Sequence, residues 1–138
     1  MYKREVHEYA QKVKRNVEKN IQKNANKYAK FWDYPACVSI CFGRKLGFYV
    51  KGYSHSPNGT IWHSILEREM NKVGIIGKAT MICKNILGKC AEQHSGNNYM
   101  KEAHETNLAN LNFSPTVRPR TGQVIKPCKN CKNIFHNL

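Results

Sequence analysis

Two short stretches place chemically capable residues at close spacing: "KCAEQH" (89–94) and "KPCKNC" (126–131). Cys128 and Cys131 are three residues apart, so on a helix both sulfurs leave one face of a single turn. Pro127 in front of them suits a helix start, where its missing N–H costs nothing. The partial positive charge at a helix N-terminus favours thiolate, the form that binds metals. Two thiolates at this spacing are half of a zinc site. A redox pair is the alternative. Lys129 and Lys132 beside it, with no preceding Trp-Cys-Gly context, argue against that use.

Cys90 offers a third thiolate at the start of another predicted helix. Three protein ligands leave one tetrahedral position for water, the arrangement of catalytic zinc, whereas four ligands close a structural site. Glu92, two residues on, is the residue type that moves protons beside such a position. Residues two apart on an ideal helix diverge by about 200°, so Cys90 and Glu92 cooperate only if the metal sits off the helix end. His94 raises the alternative of a closed Cys₃His site, which would leave Glu92 idle. Three thiolates on a divalent ion leave net negative charge. Helix N-termini supply part of the compensation, with Arg118, Arg120, Lys89 or Lys129 as candidates for the rest.

These residues need elements to position them. Residues 3–32 read as one amphipathic helix, with Val6, Ala10, Val13, Val17, Ile21, Ala25, Tyr28 and Phe31/Trp32 recurring at three- and four-residue steps. "YPACVSICFG" and "KLGFYVKGYS" predict two strands with a tight turn near Gly43–Arg44, the first apolar enough to be covered on both faces. A loop follows at 54–60, then a helix with Thr60 as cap and Gly74 as stop. Residues 75–88 show no clear period. A helix is expected from Cys90 to about Asn107, then an extended 114–127 in which Pro115 and Pro119 oppose a continuous strand. A short helix starts at Cys128. The order predicts a single α/β domain over 1–138. Within it, 1–33 hold the N-terminal helix, 34–53 the hairpin, 54–88 an insertion and 89–138 the zinc-binding motifs.

Charge narrows the partners. Lys and Arg number 23 against 9 Asp and Glu, a formal charge of +14, and such a field attracts polyanions, nucleic acid above all. No apolar run approaches the roughly 20 residues of a membrane span, and "MYKREVHEYAQKVKR" lacks the apolar core of a signal peptide. No membrane partner is expected, and a monomer is. Cys37, Cys41 and Cys83 stand singly in apolar stretches and read as small buried residues. The cysteine pattern suggests reduced thiols and action in a reducing cytoplasm. A base held out of its stack needs an aromatic platform; Trp62, His63 and Phe113 are the candidates. Of Arg118 and Arg120, one would support a thiolate and the other contact a phosphate.

The pairing of Cys90-Ala91-Glu92 with Pro127-Cys128-x-x-Cys131 resembles the signature of the cytidine deaminase superfamily, with Cys90 in place of histidine. "GKCAEQHSGNN" and "RPRTGQVIKPCKNC" are similar to deaminase domains at the C-termini of bacterial polymorphic toxins. The resemblance covers roughly residues 36–135, and the N-terminal helix fits the superfamily's first helix. It implies a cytidine deaminase-like three-layer α/β/α domain with a small mixed sheet. Cys90, Cys128 and Cys131 would hold Zn²⁺, and Glu92 would pass a proton from the attacking water to the base ring as ammonia leaves. The implied activity is hydrolytic deamination of a nucleobase in nucleic acid, cytosine to uracil in DNA rather than RNA. The implied setting is a toxin fragment delivered into a target cell, with an immunity protein as a further partner. The superfamily continues past the Cys-x-x-Cys helix, while this sequence stops at Leu138, so the expectation is either a minimal version without C-terminal strands or a sheet whose edge is missing. Two rivals stand beside this reading: a deaminase of free nucleosides or nucleotides, against which the basic field speaks, and a non-catalytic zinc-stabilised nucleic-acid-binding module.

Overall fold

In the computed structural model, which describes residues 1–23 and 28–138, the first helix, α1, spans Lys3–Lys23. It is shorter than the predicted 3–32; Ala25 and Lys27 lie outside the described residues. Phe31–Asp33 form a separate 3₁₀ turn because the backbone is extended at both Lys30 and Tyr34. Asp33 closes this turn by accepting from the Lys30 N–H at 2.8 Å.

The expected hairpin forms. Strand β1 (Val38–Phe42) pairs antiparallel with β2 (Tyr49–Tyr53), in a register running from Val38 opposite Tyr53 to Phe42 opposite Tyr49. The other edge of β1 is covered by two short pieces, β3 (Asn112–Phe113) and β4 (Thr116–Val117). Pro115 splits them, since it has no N–H to donate to the ladder. Ser114 repairs the gap: its N–H donates to the Ile40 carbonyl at 2.9 Å and its Oγ accepts from the Ile40 N–H at 3.0 Å. β5 (Val124–Ile125) folds back on β4, which gives the sheet order β2-β1-β4-β5 with β3 alongside β1. Every pairing is antiparallel, which corrects the expected mixed sheet. The crossover from β2 does bring β3 back in the same direction, but β1 lies between the two, so no parallel pair forms.

Helices cover both faces of the sheet. On one face Val38 and Ile40 meet Val6 and Ala10 of α1 together with Val117. On the other lie α3 (Ala91–Ala103) and a core that includes Cys41, Val50, Met100 and Leu111. The approach of α3 to β2 is close enough to require Gly52, where a Cβ would run into the backbone of Ser95. α2 (Ser64–Val73) and α4 (Lys129–Ile134) pack together beside α3. Gly74 ends α2 as expected, but the cap is His63, not Thr60: its Nδ1 accepts from the Ile65 N–H at 3.2 Å. α3 ends at Ala103, earlier than Asn107, because His104 takes the left-handed conformation (φ 54°). Residues 75–88 form turns held by one bridge, Ala79 with Ile86. Among the described residues no strand follows α4.

Candidate metal centre and its cavity

The three sequence-predicted ligands come together. The Cys90 and Cys128 sulfurs are 3.4 Å apart and those of Cys128 and Cys131 3.7 Å apart. All three lie within 4.8 Å of one another, a group able to hold a metal ion. Helix ends build it. Cys90 is the N-cap of α3 and Cys128 that of α4, each with extended backbone. Their carbonyls accept the first helical N–H bonds, from His94 and Lys132. The sulfurs therefore leave the helices from their ends. Cys131, at the third position of α4, lies over the same turn as its cap. This resolves the wheel problem: Cys90 lies outside α3, so Glu92 in its first turn can face the same space.

That space is a cavity of about 380 Å³ whose wall includes Cys90, Glu92 and Cys128. Thr116 of β4, with Ala36 and Cys37 leading into β1, closes one side; Lys84, Lys89 and Lys126 surround it with positive charge. Glu92 is 4% exposed. Burial pushes its carboxyl above the ordinary range, a hydrogen bond with Thr116 pulls it part of the way back, and the nearby Cys128 thiolate pushes it up again. Such a carboxyl can take up and return a proton closer to neutrality than an exposed glutamate. Among the thiols, hydrogen bonds from Cys131 and Cys90 hold Cys128 low, and the same contacts with Cys128 push Cys131 and Cys90 up. The bare cluster thus parts with one proton readily and keeps the others until a cation displaces them.

Amides, not charges, support the sulfurs. The wholly buried Gln93 donates from Nε2 to Cys131 Sγ at 3.3 Å and accepts the Gly88 N–H at Oε1. Asn85 provides a hydrogen bond that lowers Cys128 further. Among the described residues no lysine or arginine nitrogen is bonded to the three sulfurs, so Arg118, Arg120, Lys89 and Lys129 do not compensate the charge by direct contact. Asn130, between the two cysteines of α4, accepts from Thr80 Oγ1 at 2.6 Å and donates to the Asn85 carbonyl at 3.0 Å. It pins the 75–88 segment to the centre. Sequence reasoning missed Gln93, Asn85 and Asn130; the signal for Gln93 and Asn130 was an uncharged amide directly beside a ligand or Glu92.

Other candidates go elsewhere. His94 bonds through Nε2 to the His55 carbonyl at 3.1 Å and stacks on the His55 ring at 3.6 Å, outside the thiol group. The Cys₃His alternative is not built. Trp62 packs 5.2 Å from His94, His63 caps α2, and Phe113 packs 4.7 Å from Phe135 in the core. None of the three lines the cavity, and each is only half-buried. Cys41 is buried in the core as expected and Cys83 is half-buried, but Cys37 lines the cavity. All six cysteines are free thiols. Arg118 and Arg120 stand exposed at the β4–β5 turn and line a second groove, of about 500 Å³. Compared with known proteins, the chain matches no family model, no curated protein and no solved structure.

Proposed function

We propose that this chain is a zinc-dependent hydrolytic deaminase of a nucleobase in nucleic acid, converting cytosine to uracil in DNA. One observation carries the reading: a buried glutamate lines one cavity with Cys90 and Cys128, whose sulfurs converge with that of Cys131 behind the wall. Tetrahedral zinc with sulfurs at about 2.3 Å requires neighbouring sulfurs about 3.8 Å apart, and the observed 3.4 and 3.7 Å fit that donor set. When bound, zinc would supply the Lewis acidity that makes water a nucleophile at neutral pH.

The chain's own residues do the rest. The Glu92 carboxylate takes a proton from the attacking water and gives it to the adjacent ring nitrogen as hydroxide adds to the carbon bearing the amine. It then carries the adduct's hydroxyl proton to the amino group, the C–N bond breaks, C=O forms and ammonia leaves. Burial keeps that carboxyl in an environment where proton transfer in both directions is accessible. The rim lysines Lys84, Lys89 and Lys126 attract the phosphate of a nucleotide, which favours nucleic acid over a neutral nucleoside.

The test is ammonia release and sequencing after exposure of single- and double-stranded DNA to purified protein, beside free cytidine. Uracil in DNA is expected, and Glu92→Gln should lower the rate about 10³-fold with zinc still bound. Turnover of cytidine alone would favour the free-nucleoside rival. Zinc and DNA binding with no ammonia from any substrate would leave a non-catalytic binding module.

A further inference from the structure

The second groove is continuous with the site: Ala36, Cys37, Ser54 and Lys89 form a wall common to both. A polymer with one base in the 380 Å³ cavity must leave through a neighbouring space, and this groove is next to it. Its far side carries the 3₁₀ turn. There Phe31 is 68% and Trp32 64% exposed, with rings edge to face at 5.1 Å. Tyr28, at 83%, and Tyr53, at 45%, are open as well, but neither lines the groove, whereas Phe31 and Trp32 stand open directly on it. Lys30 lies 5.1 Å from the Trp32 ring, and Arg118, Arg120 and Lys89 line the groove with positive charge. The nearby Asp33 is engaged, since it holds the Lys30 N–H.

Resting on the nucleic-acid reading above, we propose that this groove seats the nucleotide next to the target base in a single strand. The neighbouring base stacks on Trp32 and Phe31, and its phosphates lie between Lys89, Arg118 and Arg120. Aromatic stacking is tolerant of base identity, and the cations follow the backbone. On this proposal Phe31 and Trp32, at the end of the N-terminal segment, join Trp62, His63 and Phe113 as candidate platforms.

The test is the affinity of a labelled single-stranded oligodeoxynucleotide of mixed sequence for zinc-loaded Glu92→Gln protein, which leaves the strand intact. Trp32→Ala should weaken binding about tenfold and Trp32→Tyr should restore most of it. Arg120→Gln should lower the slope of log affinity against log salt by about one. Lys12→Ala, on the exposed side of α1, serves as control. Unchanged affinity in Trp32→Ala, or an equal loss in Lys12→Ala, overturns the groove. Failure of the deaminase reading would show separately, as no ammonia from wild-type protein, and does not enter these binding measurements.

Discussion

The two faces of the central sheet bury different things. Against α1 the contact is wholly apolar: Val38, Ile40 and Val117 on Val6 and Ala10. Toward α3 the sheet shares a core that includes Cys41, Val50, Met100 and Leu111, and α3 itself buries Glu92, Gln93, His94, Ser95 and Asn97 within two turns. The first face stabilises by removing apolar area from water, at about 25 cal/mol per Å². The second must match each desolvated polar group with a partner. Gln93 finds Cys131 and Gly88, His94 the His55 carbonyl, Ser95 the Glu92 carbonyl, and Asn97 the backbone of His63 and Ile61. Glu92 has Thr116 and opens on the cavity. The α1 side adds apolar contact alone; the α3 side carries the larger apolar core and, within it, a set of dipoles around a place where chemistry can occur.

The sharpest way to break this division is on the apolar face. Ile40→Ala should cost about 2–5 kcal/mol of unfolding free energy, measured by denaturant titration, with zinc content per folded molecule unchanged. A matching loss of bound zinc would show that the two faces are not separable. On the polar face, Gln93→Ala should weaken zinc binding about 10- to 100-fold in chelator competition, because Cys131 loses the Gln93 amide donor. Affinity equal to wild type would reduce Gln93 to a packing residue.

The smallest effect concerns pH. Burial first, and then the neighbouring His55, depress His94 from 6.5 to about 4. The fold therefore favours the neutral imidazole, and the unfolded chain takes up its proton first as pH falls. Stability from this group is complete above pH 6.5 and gone below about 4. The difference between wild-type and His94→Gln melting temperatures should shift against wild type across that window. Parallel curves would mean that the stack on His55 does not hold His94 neutral.

Much of the candidate centre was legible because it is local. A Cys-x-x-Cys at a helix start brings two sulfurs together whatever the remainder of the chain does, and Cys-Ala-Glu carries its proton carrier with it. The hairpin was equally plain, since its alternation and turn lie within twenty residues of each other. The supports were not legible. Residues 75–88 have no period and are shaped by bonds from Thr80 and Asn130, one of them reaching across from α4. The first turns of α3 are buried all round, so no amphipathic stripe distinguished Glu92, facing the cavity, from Gln93, facing a sulfur. The aromatic candidates illustrate the same limit: residue type says that a ring can stack, and packing decides on what.

Short-range order along the chain determined the element types, the three thiols, the glutamate beside them and the basic field, because spacing and composition belong to the polymer itself. Tertiary structure alone decided that Cys90 and Cys128 meet at 3.4 Å, that β1 separates β2 from β3, and that Trp32 and Phe31 stand open beside the cavity. Those outcomes depend on which surfaces exclude water together. That is a property of distant residues brought into contact, which no local pattern encodes.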